Sequence, residues 1–195
     1  MPKSSSLFIL GLGNPGPKYT HTRHNVGYWV VDLLLQDYKT KFRRQIFSPY
    51  QSVRLSSSSH HLSVLRSKTF MNTTGSIIPS LARHNTVDPS QFVVVVDNMD
   101  LPPGQCRLRK GGSHAGHNGL KSLMAAFGEQ DFLRLYIGVG RPERGVSVVD
   151  HVLGVPNASD TQKIQMTCRK AADALCSLAE EPFDRVAESL NRRGA

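Results

Sequence analysis

The apolar run Leu7-Phe8-Ile9-Leu10 leads into Gly11-Leu12-Gly13-Asn14-Pro15-Gly16, and Arg23-His24-Asn25-Val26-Gly27 follows after one short loop. The hexapeptide matches the G-x-G-x-x-G dinucleotide pattern placed after a strand. Its surroundings argue against that use. A dinucleotide site needs a helix to begin inside the glycines, so that free amides and the helix dipole meet the pyrophosphate. Pro15 and Pro17 remove two amides and turn their preceding residues away from helical backbone. The helical pattern begins only near Asn25, with Val26, Trp29, Val30, Leu33 and Leu34 on one face. No acidic strand end follows about 20 residues on; Asp32 and Asp37 fall inside that helix or at its end. The glycines read instead as a stiff turn that presents Asn14, with a polar loop delivering His24 nearby.

Working outward, strands are expected at Leu7–Leu12, Gln51–Leu55, Leu62–Arg66, Phe92–Asp97, Gln105–Lys110 and Leu133–Val139. The β-branched run Phe92-Val93-Val94-Val95-Val96 predicts a strand covered on both faces at the centre of a sheet. Gln105–Arg109 alternates, with Cys106 and Leu108 inward and Arg107 and Arg109 outward. The strands at 51–55 and 62–66 are expected to pair across the serine run Ser56–Ser59 and His60. Helical patterns follow Asn25, run from Asn72 to about His84, and from Asn118 to Phe127. Ser159-Asp160-Thr161-Gln162 reads as a capping box opening a helix with Ile164, Cys168, Ala171, Ala172, Leu175 and Leu178 on one face. Pro182 starts a last helix carrying Val186 and Leu190. The segment Arg141–Val149 reads as a charged, glycine-containing loop, either a flap over a site or a connection. Strands alternating with helices make this an α/β sandwich.

A chain of 195 residues has room for one domain with a real core. Its 24 Lys and Arg against 15 acidic residues give a net charge of +9, which favours a polyanionic partner, nucleic acid before membrane. No long apolar span or cationic amphipathic anchor is visible. Cys106, Cys168 and Cys176 are odd in number and widely spaced, as expected of reduced, buried thiols. Met1–Ser6 is too short and polar for a cleavable signal, so a cytoplasmic location is expected, or an organelle if the native start lies upstream.

Four polar clusters fall where strands end or helices begin: Asn14 with Tyr19–Asn25; Phe70-Met71-Asn72; Asp97-Asn98-Met99-Asp100; and His114-Ala115-Gly116-His117-Asn118-Gly119. Sites gather at the carboxyl ends of strands in open α/β sheets. Taken singly, Asn25, Asn72 and Asn118 are ordinary helix caps, and Asp97 caps the turn Asp100–Gly104. Their convergence points to chemistry. His114 and His117 with Asp97 and His24 would compose a His/carboxylate metal set. However, the surrounding Gly111, Gly112 and Gly116 suit a flexible backbone approach rather than a ligand helix, and H-E-x-x-H is absent. Neither metal nor cofactor is expected. No G-x-S-x-G is present, and no cysteine lies beside a base. What remains is a histidine general base activating water, with a carboxylate fixing its tautomer and amides steering the substrate.

Gly-Leu-Gly-Asn-Pro-Gly, Thr-Arg-His-Asn-Val-Gly, Thr-Phe-Met-Asn, Asp-x-x-Asp-Leu-Pro-Pro-Gly and Gly-His-Asn-Gly-Leu-Lys-Ser, in this order, closely resemble the bacterial-type peptidyl-tRNA hydrolases. The resemblance runs from about Leu7 to Gly154. It implies a single α/β domain over 1–195, a twisted mixed β-sheet sandwiched between α-helices, with a mobile N-terminus (1–6) and C-terminal helices (159–194). It implies an esterase that frees tRNA from peptide, acting as a monomer. His24 would be the catalytic base and Asp97 its partner. Asn14, Asn72 and Asn118 would hold substrate and water, with Tyr19, Phe70 and Met71 lining the peptide and terminal-adenosine site. The Asn14 side-chain carbonyl is expected to accept from the peptide N–H.

Two positions depart from the family pattern. Asn98 stands where a glutamate is usual, and Tyr136 where many members carry a basic residue, which would shift tRNA-facing charge to Arg134, Arg141 and Arg144. Arg107, Arg109, Lys110 and Lys121 lie beside the His114–Asn118 cluster and are expected to contact tRNA phosphates. A non-catalytic RNA-binding relative of the same fold is the alternative, and a dinucleotide enzyme the third option.

Overall fold

The computed structural model describes residues 7–43, 46–56, 61–83, 87–128 and 131–192. Among these, strands β1 (Leu7–Gly11), β2 (Tyr50–Ser56), β3 (His61–Ser67), β4 (Phe92–Asn98), β5 (Cys106–Lys110) and β6 (Leu133–Gly138) form one sheet, in the order β2-β3-β1-β4-β6-β5. The four inner strands run parallel, and β2 and β5 close the two edges antiparallel. Helices α1 (Val26–Asp37), α5 (Ala158–Ser177) and α6 (Phe183–Asn191) cover one face. Helices α2 (Ile77–Ala82) and α3 (Asn118–Phe127) cover the other, and α4 (Val148–Leu153) packs beside the turn Arg23–Asn25. The sheet is mixed and sandwiched, as the sequence pattern implies.

The period of β4 shows why. Val93 and Val95 enter the core under α1 and α5, whereas Phe92, Val94 and Val96 enter the core under α2 and α3. Both faces are dry, so the strand needs no polar alternation. The β5 edge is protected differently: the Asn191 side chain accepts from the Leu108 N–H at 2.8 Å and donates to the Leu108 carbonyl at 3.0 Å. One amide from α6 thereby occupies main-chain groups that an exposed edge would offer to another strand.

Several boundaries differ from expectation. Asn72 lies in a 3₁₀ stretch, Met71–Ser76, and the α-helix begins only at Ile77. The cap of α5 is Asn157, whose side chain accepts from Asp160 N–H, two residues ahead of the Ser159 box. The loop after Arg141 ends in α4, capped by Ser147, so Val148 and Val149 are helical. Residues 1–6, the serine tip at 57–60 and the helix end near His84 lie outside the described residues.

The chain visits β1, then β3 on one side of it and β4 on the other. The connections leaving β1 and β4 therefore diverge, opening a crevice at their carboxyl ends. Into that crevice fall the turn after Gly11 and the end of β4. Gly27 makes the approach close: a Cβ there would stand 2.5 Å from the Leu12 N and O atoms and the Val95 O atom. Any side chain would push α1, and His24 with it, off the sheet.

Candidate active site

Asp97 ends the buried part of β4 with its side chain 3% exposed, and one of its oxygens serves two histidines. His24 Nδ1 lies 2.8 Å from Asp97 Oδ1, and His117 Nε2 lies 3.0 Å from the same atom. The two rings sit 4.8 Å apart, tilted by 47°. Burial alone would raise the Asp97 carboxyl, but the imidazoles of His117 and His24, by charge and hydrogen bond, outweigh it and hold it well below the usual carboxylate range.

Hydrogen-bond accounting assigns both tautomers. His117 Nδ1 accepts from Gly119 N–H at 3.1 Å and Leu120 N–H at 3.3 Å, capping α3. Its proton therefore sits on Nε2 and is donated to Asp97. A carboxylate can only accept, so His24 donates from Nδ1 and keeps the Nε2 lone pair free. His117 thus takes the capping role expected of Asn118, which occupies the first helical position and is exposed. A sequence signal for this existed: a histidine directly before Asn-Gly-Leu-Lys can reach back to the first amides of the helix. His24, Asp97 and His117 are also a group of metal-ligand type, with their ligand atoms within 4.8 Å of one another; the 2.8 and 3.0 Å spacings to the shared Asp97 oxygen are those of hydrogen bonds.

The Asn14 turn is fixed beside this group. Asn25 accepts from Asn14 N–H at 2.8 Å and donates to the Asn14 carbonyl at 2.9 Å, so its side chain pins the turn instead of capping α1. Asn14 Oδ1 accepts from Met71 N–H at 2.8 Å. The expected acceptor for a peptide N–H therefore already takes one hydrogen bond, with its second lone pair left over. The Nδ2 hydrogens have no protein acceptor among the described residues, so Asn14 offers a substrate a donor. Gly119 keeps the corner tight: a Cβ there would lie 2.5 Å from Met71 Sδ and 2.9 Å from Leu12 Cδ1. Phe70 is half exposed and meets Tyr19 edge to face at 6.3 Å, with Lys18 Nζ 4.7 Å from the Tyr19 ring centre. Asn72 is exposed on the same 3₁₀ stretch.

Asn98 has a local task. Its Oδ1 accepts from Asp100 N–H at 2.8 Å and Leu101 N–H at 3.1 Å, so it, not Asp97, caps the turn toward Gly104. Among the expected phosphate contacts, Arg109, Lys110 and Lys121 are exposed and Arg107 is half-buried; Lys110 lies 3.7 Å from Asp131. Arg141 is exposed and pairs with Asp100 at 2.6 Å, and Arg144 is exposed. Arg134 contradicts expectation. It is fully buried, with its guanidinium donating to the carbonyls of Gly112 and Ser113, so it is no surface cation. Tyr136, two residues on, offers its hydroxyl to Arg134 at 3.4 Å. Among the thiols, burial, with Cys106 adding to it, pushes Cys168 up to about 12, and burial raises Cys106 as well.

No helix among the described residues is long and apolar enough to cross a membrane. The sequence model of the family described as "Peptidyl-tRNA hydrolase" matches residues 8–195. A peptidyl-tRNA hydrolase of Dichelobacter nodosus is 37% identical over 185 residues, covering 94% of this chain and 97% of its own. One from Methylobacillus flagellatus is 39% identical over 189 residues, covering 96% of each. The crystal structure of peptidyl-tRNA hydrolase from Acinetobacter baumannii superposes with a TM-score of 0.90 at 30% identity, covering 97% of this chain and 96% of that one. With the buried His–Asp–His group at the switch point of its sheet, the chain belongs to the peptidyl-tRNA hydrolase family and is an ester hydrolase.

Proposed function

We propose that the chain hydrolyses the ester joining a peptide to the 3′ end of tRNA, with His24 as general base. One observation carries this: His24 Nδ1 is committed to Asp97 at 2.8 Å, which leaves Nε2 as the free lone pair. In the proposed step a water loses a proton to His24 Nε2 while its oxygen attacks the ester carbonyl carbon. Asn14 Nδ2 donates to the carbonyl oxygen as it gains negative charge. The tetrahedral intermediate collapses, the ribose oxygen leaves and takes the proton from His24, and the peptide acid loses the water's second proton to solvent, leaving a peptide carboxylate and free tRNA. Asp97 holds the imidazole orientation, and His117 holds Asp97. Asn72 and Asn118 steer substrate and water. Tyr19, Phe70 and Met71 line the peptide and terminal nucleoside.

The face bearing Arg107, Arg109, Lys110 and Lys121 receives the acceptor-stem phosphates, with Arg141 as an outer contact. Every group in this scheme belongs to one chain, so a monomer suffices, with 1–195 acting as one domain in the cytoplasm. The test is to incubate purified protein with an N-blocked aminoacyl-tRNA and follow free tRNA. Release by the wild type that is lost in His24→Asn is expected; binding of the tRNA without release would leave an RNA-binding protein rather than an enzyme.

A further inference from the structure

Arg134 heads the fully buried side chains of the described residues, and no carboxylate among them lies within ion-pair distance of it. A buried charge is tolerated only where its donors are used. Its guanidinium lies 4.7 Å from the Phe132 ring centre. Nη2 donates to the Gly112 carbonyl, and Nη1 to the Ser113 carbonyl. Nε is buried without a partner. An apolar side chain could fill this core position without burying a charge. What arginine adds is a rigid fork on two consecutive carbonyls.

Those carbonyls belong to segment 111–117, between β5 and α3. Gly111, Gly112, Ala115 and Gly116 all have positive φ, and the three glycines leave this backbone many alternatives to the observed path. Its last residue nevertheless has to satisfy two demands at once: His117 Nδ1 on the amides of Gly119 and Leu120, and Nε2–H on Asp97. Gly111 N–H bonds the Phe132 carbonyl, and His117 N–H closes the turn on the His114 carbonyl. Between these two ties, Gly112 and Ser113 are held by Arg134.

We propose that Arg134 is a positioning residue of the active site, clamping Gly112 and Ser113 so that His117 meets Asp97 and, through Asp97, fixes His24. This rests on the reading that the chain hydrolyses peptidyl-tRNA. It also accounts for an arginine, rather than an aliphatic residue, on a covered face of β6.

Arg134→Lys keeps charge and length but cannot fork two carbonyls. Its kcat is expected to fall by about 10–10²-fold, the scale of small misplacements of reacting groups, with KM changed much less. In a His117→Ala background the same substitution should cost almost nothing further, because the clamp acts through that ring. Wild-type kcat in Arg134→Lys, or losses that multiply in the double variant, would overturn the proposal. Hydrogen exchange on the wild-type chain tests it without any variant, and independently of hydrolysis. The amides of His117 and Gly119 should exchange in the same slow unit as that of Leu135 in β6. Exchange of those two amides faster by about 10³-fold, as from a locally opening loop, would equally overturn it. A wild type that exchanges as expected but releases no tRNA would instead sink the hydrolase reading.

Discussion

Asp97 and Asp100 stand three residues apart where β4 ends, each paired with a basic side chain, and they do opposite things. Asp97 is 3% exposed at the side chain and holds two imidazoles at 2.8 and 3.0 Å. Asp100 is 63% exposed and meets Arg141 at 2.6 Å. The shortest of these contacts is energetically the weakest. Water and salt screen the Asp100 pair, and such exposed pairs contribute about 0–1 kcal/mol. Breaking a buried pair instead strands a charge where little else can solvate it, which costs about 3–5 kcal/mol. Asn98 makes the division possible, since it takes the turn amides and leaves both carboxylates free of that task. Burial, not distance, decides which acid organises chemistry.

The comparison breaks most sharply at the base that Asp97 serves. His24→Ala should lower turnover by about 10²–10⁴, the usual scale of general-base catalysis. Asp97 keeps His117 in that variant, so thermal unfolding should stay cooperative. Turnover within a few-fold of wild type would mean that another group takes the proton.

Asp97→Asn is the next largest effect. The amide can present N–H as well as C=O, so His24 is no longer held in one tautomer, and turnover should fall by about 10²–10⁴, no further than in His24→Ala. The pH dependence of stability sharpens the point. The folded Asp97 carboxyl lies below its ordinary value of about 3.9, because the two imidazoles outweigh burial. Its stabilisation is therefore present above that ordinary value and is lost as pH falls through the folded one. Denaturant titrations below about pH 4 should show a shallower acid loss in Asp97→Asn than in wild type. Identical acid profiles would place Asp97 in an ordinary solvent-like environment.

Legibility turned on whether a residue's own neighbours in sequence reveal its surroundings. The valine run of β4 announced a strand covered on both faces, because a dry strand must be apolar throughout. The prolines after Gly13 announced that no helix begins in the glycines. His24, Asp97 and Asn14 were legible as polar residues at strand ends. Arg134 was not. Leu133-Arg134-Leu135-Tyr136-Ile137 alternates like a half-exposed strand, and sequence alone does not say that α3 and the 111–117 segment cover the arginine's face. His117 was equally hidden, since its role depends on Asp97, twenty residues away, arriving at its Nε2. The bond from the Met71 amide to the Asn14 oxygen was hidden too, because that amide comes from a loop 57 residues away.

On β5, the half-buried Arg107 and the exposed Arg109 should matter for affinity rather than chemistry. Each lost phosphate contact should flatten the plot of log affinity against log salt by about 0.7–0.9. Arg107→Ala/Arg109→Ala should therefore bind tRNA more weakly with a shallower slope, while turnover at saturation stays near wild type. An unchanged slope would move the tRNA to another surface, with Arg141 and Arg144 the first to examine.

The smallest effect belongs to Asp100. Asp100→Asn removes the charge from a pair whose two side chains are 63% and 77% exposed, and the backbone turn is already held by Asn98. Stability should change by less than about 1 kcal/mol, and turnover by less than about twofold. The sign on tRNA binding is informative: losing an acid beside Arg141 releases that arginine to a phosphate, so affinity should rise slightly at low salt and the gain should vanish at high salt. Parallel binding curves for wild type, Asp100→Asn and Arg141→Ala at two salt concentrations decide the matter. If Asp100→Asn instead cost turnover as heavily as Asp97→Asn, exposure would not be what separates the two carboxylates, and the Asp100–Arg141 pair would have to lie in the path of the substrate.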